Sequence, residues 1–518
     1  MAGKWTSVDL VNVFASRCYK IGRALCLTTE EDFEYGLKEA EIKDKEREEA
    51  LRNGTQLPIL HGIPVSVKEL NEQKGKLVTV GCQHLCEKVF EEDNPTIKLI
   101  KDAGAIIIVR GNVPQLAFAI HSENMVWGEA RNPHNQGRSC GGSSGGDGGL
   151  VAAKCVPLAF GSDIGGSIRI PAHFNGIRGL RPSPWRISML GHRTALYDNA
   201  APLKQIRACS GPLGQTSEDI KIGLQVLIND RLNHYDPFVP PLPFRDDLYE
   251  RASSGKVRIG YFESIENQPT TVAMKRALNI AKDALEAQGY ELVRINLPTA
   301  LIEEAREVFV TIIMNFCLGP MIKKLDENYE RPLPCYKFPV LLVTSGFFVK
   351  NLLYAVLRLT GNNRIYKSIK SIKICSKDEI NELFKRQADL YPKVKEFWDQ
   401  QNIEAILQPS YLSCSFKHEH SGDMGIFFDY LNLWSLLHYP VGVVPVSSVQ
   451  DGEDAGYEDG INDEWTKIIR KDMVGTVGMP ISVSIVAQPW QDEIIVGIMK
   501  ALDDKIKYKK ALPAYLME

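Results

Sequence analysis

Three residues in this chain stand in surroundings that suit bond-breaking chemistry better than packing: Lys68, Ser143 and Ser167. Lys68 ends the apolar run Gly62-Ile63-Pro64-Val65-Ser66-Val67-Lys68. Ser143 lies in the glycine-dense stretch Gly141–Gly149, and Ser167 follows Asp163-Ile164-Gly165-Gly166. A serine hydroxyl is a weak nucleophile until a base takes its proton. A lysine can serve as that base only when neutral, so its pKa must fall from about 10.4 toward 7–8; burial behind an apolar strand supplies such a shift. Gly165 and Gly166 clear the approach to the Ser167 hydroxyl. Successive backbone N–H groups of Ile164, Gly165, Gly166 and Ser167 can then face a developing oxyanion. The triple predicts a serine hydrolase whose base is Lys68, with Ser143 passing the proton between Ser167 and Lys68.

Two other readings of the glycine-dense stretch fail on context. It contains the string G-x-S-x-G twice, around Ser143 and around Ser144, but a nucleophile elbow needs an apolar strand entering the turn. Here the polar segment Arg131–Arg138 precedes it. No Gly-Lys-Ser/Thr closes the glycines, so a phosphate-cradling loop is excluded as well.

The elements that must position these residues are legible as alternating patterns. Short apolar runs at Ile63–Val67, Ala105–Val109, Val257–Phe262, Val441–Val446 and Ile481–Val486 read as strands, and 272–288 and 377–399 as helices between them. Strand–helix alternation predicts an α/β fold with a parallel or mixed sheet. With no internal repeat and no long flexible linker, residues 1–518 are expected to form a single domain. Residues 7–26 have the spacing of an amphipathic surface helix, and the charged run 38–52 that of a solvated helix face. The proline-rich segment 236–243 is expected to run extended on the surface between two halves of the fold.

Composition narrows the function classes. A 518-residue chain with 44% hydrophobic residues can bury a sizeable core. Its net charge of −3 gives no reason to expect nucleic acid. Eleven scattered cysteines without CxxC spacing predict reduced thiols in an intracellular setting. Charged residues from Asp9 to Arg23 interrupt any secretory signal. No histidine cluster has metal-ligand spacing; His418 and His420 are expected to be solvated, and neither metal nor cofactor is expected.

Residues 335–377 are unusual. Phe338–Val349 carries no charge; Lys350 interrupts, Asn351–Leu357 is again uncharged, and Arg358, Arg364, Lys367, Lys370, Lys373 and Lys377 follow. This is too short and too broken for a spanning helix. It fits a helix pair in a membrane interface with basic residues meeting anionic headgroups, or a core helix with a solvated basic neighbour. The acidic stretch 451–464 reads as a loop insertion.

Gly-Gly-Ser-Ser-Gly-Gly followed by Asp-Ile-Gly-Gly-Ser-Ile-Arg resembles the amidase signature family, and within it the branch that hydrolyses fatty acid amides. The likeness extends to 62–69, 112–115, 236–247, 440–446, 477–480 and 488–491. It implies Ser167 as nucleophile, Ser143 in a cis peptide bond as proton bridge, Lys68 as base and acid, and Ile164 to Ser167 as the oxyanion hole. Ser144 and Arg169 fall on supporting positions, and Ala117 and Phe118 on the acyl channel. There Ala117 and Ile120 replace a methionine and a tyrosine of the family pattern, so acyl-chain preference does not carry over. The resemblance also implies a mixed sheet of about eleven strands wrapped by helices, with 335–377 as a two-helix membrane cap. The family's animal membrane-bound members carry an N-terminal spanning helix ahead of the point where this sequence starts. Peripheral binding is therefore the expectation, on an internal membrane or with the protein cytoplasmic, and with a possible homodimer.

The implied activity is cleavage of N-acylethanolamines and primary fatty amides to fatty acid and amine through an acyl-enzyme on Ser167. The alternatives are another amide hydrolase of the family, a subunit of the kind that amidates glutamyl- or aspartyl-tRNA, or a non-enzymatic peripheral membrane protein. The apolar–basic segment speaks against the first two and the intact triad against the third.

Overall fold

A computed structural model describes residues 4–196, 203–425 and 428–516. Eleven strands build one mixed sheet: β1 (Thr28–Glu31), β2 (Pro64–Lys68), β3 (Ile106–Gly111), β4 (Leu158–Asp163), β5 (Arg178–Arg181), β6 (Cys209–Gly214), β7 (Arg258–Tyr261), β8 (Glu291–Arg294), β9 (Ala405–Pro409), β10 (Val441–Ser448) and β11 (Pro480–Ala487). Their order across the sheet is β1-β3-β2-β4-β6-β5-β10-β11-β9-β7-β8. The first six strands form one half and the last five the other; the halves join through the antiparallel pair β5–β10. The segment 236–243 lies in sequence between these halves, with Phe238 exposed, as the prolines predict.

Most of the inner strands are buried along their whole length because both faces of the sheet are covered, and β3 and β11 are largely apolar for that reason. Val65, Val67 and Phe160 pack into a core on one face, and Ile106, Ile108 and Ala159 into a core on the other. Among the covering helices are α1 (Ser7–Arg17), α2 (Phe33–Asn53), α3 (Gly145–Ala152), α4 (Arg169–Asn175) and α5 (Val272–Glu286). A capping box on Thr6 starts α1: the Thr6 hydroxyl accepts the Asp9 N–H and the Asp9 carboxylate accepts the Thr6 N–H.

A third core gathers around α6 (Thr299–Ile313), which continues through a π turn at Met314–Leu318 into a further helix. The combined helix Thr299–Glu327 is long and apolar enough to cross a membrane, yet 61% of its apolar window is buried inside the protein. Above this core sits the two-helix cap. Helices α7 (Lys337–Thr344) and α8 (Phe347–Leu359) bend by 120°. Along α8, Phe347, Phe348 and Leu359 are 76%, 86% and 86% exposed, whereas Leu353 and Leu357 pack inward.

Two expectations need correction. Arg364, in α9 (Asn363–Lys370), does not face out with the other basic residues. Its guanidinium is buried and bonded to Asp463 at 2.9 Å and Asp459 at 2.7 Å, because a lone buried cation would go unpaired there. The acidic stretch thus clamps the base of the cap. His418 and His420 are not solvated either: His420 is buried with Nδ1 2.6 Å from Asp472, and His418 packs between Glu129 and the Gln136 carbonyl. All eleven cysteines carry free thiols.

Candidate active site

The site forms where the parallel neighbours β2 and β4 end. Lys68 is the last residue of β2 and Asp163 the last of β4, so both side chains emerge at one edge of the sheet. The turn Ser139–Ser144 leads into α3 beneath them. Gly146 is required there: a Cβ would lie 2.0 Å from the Asn112 nitrogen and 2.4 Å from the Leu27 oxygen. Gly166 has φ +129°, a conformation closed to other residues, and it turns the chain from β4 toward α4.

The fold brings the sequence triple together. The buried Lys68 ammonium donates to Ser143 Oγ at 2.8 Å, and to the Ser162 hydroxyl and carbonyl at 3.1 and 3.2 Å. The Gly142–Ser143 peptide bond is cis. Ser167 lines the same cavity as Lys68 and Ser143, is half-buried, and its hydroxyl bonds to no other described residue. The Ser144 N–H donates to the Ser167 carbonyl at 3.0 Å and ties the two serine-bearing turns. The Ser144 hydroxyl meets the Ser162 carbonyl and N–H, both at 3.3 Å.

Asp163 organises the turn before Ser167. Its carboxylate accepts the Gly166 N–H at 2.8 Å and the Ile168 N–H at 3.0 Å, and is gripped by Arg169 at 2.9 and 3.0 Å. Of the four N–H groups expected at the oxyanion hole, that of Gly166 is therefore occupied. Those of Ile164, Gly165 and Ser167 have no protein acceptor among the described residues. Arg169 and Arg181 hold the Asp163 carboxyl well below the usual range against its complete burial.

Burial dominates the electrostatics of Lys68. It pulls the ammonium down from 10.5 to about 7, with Asp147, Asp163 and Glu69 opposing. The same burial pushes the Asp147 carboxyl up, although Ser66 donates to it at 2.7 Å. Lys68 therefore sits near the boundary between charged and neutral at neutral pH. His192 lines the same cavity, but burial lowers its imidazole to about 3, and its Nε2 faces Ser210 at 2.9 Å rather than Ser167.

Two cavities of about 130 and 240 Å³ converge on Ser167 and share Ala117, Phe118 and Ile164 as walls. The smaller runs past Phe309, Ile313 and Met314 toward Phe338 of the cap, and is mostly apolar. The larger holds Lys68, Ser143 and His192. Sequence reasoning gave no role to Ser162, Asp147 or Asp163. Their signal lay in the quoted motifs, but which serine or aspartate faces the lysine depends on strand register.

The amidase family model matches residues 9–496. The chain is 34% identical to fatty-acid amide hydrolase 1 of Sus scrofa over 86% of this chain and 76% of that protein. It is 29% identical to fatty acid amide hydrolase 1 of Caenorhabditis elegans over 86% and 77% of the two chains. The solved structure of a fatty acid amide hydrolase superposes with a TM-score of 0.81 at 23% identity, covering 98% of this chain and 84% of that one. A buried lysine at the end of one strand and two serines in the turns beside it, in a sequence matched almost end to end by one family model, are thus explained together: the chain belongs to the amidase signature family and hydrolyses amides.

Proposed function

We propose that this enzyme hydrolyses fatty acid amides, N-acylethanolamines and primary fatty amides among them, to a fatty acid and an amine. The observation that carries the reading is Lys68, buried, 2.8 Å from Ser143 and opening with Ser167 on a cavity whose continuation is apolar. The neutral Lys68 Nζ takes the Ser143 proton while Ser143 Oγ takes that of Ser167, as the Ser167 Oγ–carbon bond forms. The N–H groups of Ile164, Gly165 and Ser167 receive the oxyanion, each such donor contributing about 2.7–4 kcal/mol. Collapse returns the proton through Ser143 to the leaving nitrogen, so the amine departs neutral and the acyl group stays on Ser167. Water, deprotonated along the same path, then attacks the acyl-enzyme and releases the fatty acid.

The apolar wall formed by Phe118, Phe309, Ile313 and Phe338 suits an alkyl chain. Together with the exposed apolar residues of α8, it supports a substrate delivered from a membrane surface to which the protein binds peripherally. The test is labelling with a fluorophosphonate, located by mass spectrometry, followed by turnover of N-acyl amides of graded chain length. The expected result is one adduct on Ser167, absent in Ser167→Ala, and kcat/KM rising with chain length. An adduct on Ser144 would refute the nucleophile, and a rate indifferent to chain length would favour a small-amide hydrolase instead.

A further inference from the structure

A second cluster of reactive side chains lies outside the triad. The two-stranded ribbon Glu123–Asn124 and Gly128–Glu129 pairs Glu123 directly opposite Glu129. Like charges in that position repel, and among the described residues no lysine or arginine pairs with either carboxylate. What faces them instead is imidazole. His121, fully buried, places Nε2 3.1 Å from Glu129 Oε1 and 3.8 Å from Glu123 Oε2. His418, distant in sequence, places Nδ1 3.2 Å from the same Glu129 Oε1.

The outer nitrogens are anchored. His418 Nε2 lies 2.9 Å from the Gln136 carbonyl, which can only accept, so Nε2 carries a proton there and Nδ1 is the nitrogen turned toward Glu129. That Nδ1 is buried and, among the described residues, has Glu129 beside it but no well-aligned hydrogen bond. His121 Nδ1 lies 2.9 Å from the Ser139 hydroxyl. Outer-nitrogen anchoring of this kind orients histidines that ligate metals. Two of the three ligand spacings fit as well, and the third, between the two imidazoles, is within 4.8 Å. Tetrahedral zinc with bonds of about 2.0–2.1 Å sets neighbouring ligand atoms about 3.3 Å apart, and here the two histidine–carboxylate distances are 3.1 and 3.2 Å.

We propose that His121 Nε2, His418 Nδ1 and Glu129 Oε1 form a site for a divalent zinc-class cation, with Glu123 or water at the fourth position. Glu129 is 32% and His418 16% exposed, which leaves an entry path from solvent. Ser139 also accepts the Gly141 N–H at 2.9 Å, so the site is joined to the turn that carries Ser143.

Titrating Zn²⁺ into the chelator-treated full-length protein by calorimetry tests this without reference to turnover. One equivalent should bind, and Glu129→Gln and His418→Gln should each weaken it at least tenfold, while the melting temperature measured without metal stays within a few degrees of the parent. His84→Gln, in the other group of potential ligands, Cys82, His84 and Glu330, should leave binding unchanged. Co²⁺ loaded into the parent adds a readout that needs no variant: visible d–d bands without a near-ultraviolet thiolate band. No binding, binding that survives both substitutions, or a thiolate band would each overturn the assignment.

Discussion

Replacing Lys68 by methionine, a side chain of similar length without the amine, separates what the lysine does for catalysis from what it costs the fold. Burial lowers the ammonium from 10.5 to about 7. Between those two values the unfolded chain binds a proton that the folded chain does not, so stability rises with pH across that window. Each pH unit is worth about 1.36 kcal/mol, which makes the penalty about 4–5 kcal/mol near pH 7 and close to zero near pH 10.5. Against it stand the lost hydrogen bonds to Ser143 and Ser162, about 1 kcal/mol each. Asp147 adds little, because burial already pushes its carboxyl up in the parent. Lys68→Met should therefore be about 2 kcal/mol more stable than the parent at pH 7, with the gain gone by pH 9.5, while amide turnover falls about 10²–10⁴-fold. Urea denaturation followed by tryptophan fluorescence at both pH values, with turnover measured alongside, reads all three quantities. If Lys68 were instead a charged partner of Asp147, removing it would strand a buried carboxylate and destabilise by about 3–5 kcal/mol. A less stable Met variant at pH 7, or a stability difference that ignores pH, would refute the neutral-base argument.

The same shift fixes the rate profile: with chemistry rate-limiting, turnover should fall as pH drops through about 7, because protonated Lys68 cannot accept a proton, and a flat profile from pH 5 to 9 would contradict it. Arg169→Leu should destabilise by about 3–5 kcal/mol, since it removes the two-point grip on the fully buried Asp163; chemical denaturation checks this, and a loss under about 1 kcal/mol would show that Arg181 alone suffices. Changing Phe347, Phe348 and Leu352 to serine should release the protein from anionic liposomes without lowering its melting temperature, because all three are exposed. Binding of the parent should weaken with salt, at about 1 kcal/mol per basic residue near the surface. Co-sedimentation of the triple variant equal to the parent's would remove the cap from membrane binding.

What could be read from the chain before its structure follows from how local each signal is. The strands Pro64–Lys68 and Pro480–Ala487 announce themselves because a sheet covered on both faces favours β-branched apolar residues with only small polar ones between them, the terminal Lys68 excepted. The candidate site residues were visible because glycines and serines cluster where backbone must approach backbone. Arg364 and His418 were misjudged for the opposite reason. Their partners Asp463 and Glu129 are about a hundred or more residues away, and a polar residue in a polar stretch carries no mark of being buried. The Gly166 N–H is a subtler case: the motif shows four consecutive donors, but not that Asp163 folds back on one of them.

Base and substrate preference are not independent in this geometry. Lys68 can be neutral only because water and counter-ions are kept away, and the groups that keep them away include the walls of the cavity in which the amide must lie. Widening that cavity with polar residues to welcome a small hydrophilic amide would rehydrate the ammonium and raise its pKa back toward 10.5, disabling the base. Enlarging it with apolar residues would leave the base intact and change only which chain fits. Ala117 and Phe118, which line both cavities beside Ser167, are the positions where size can be altered without that penalty.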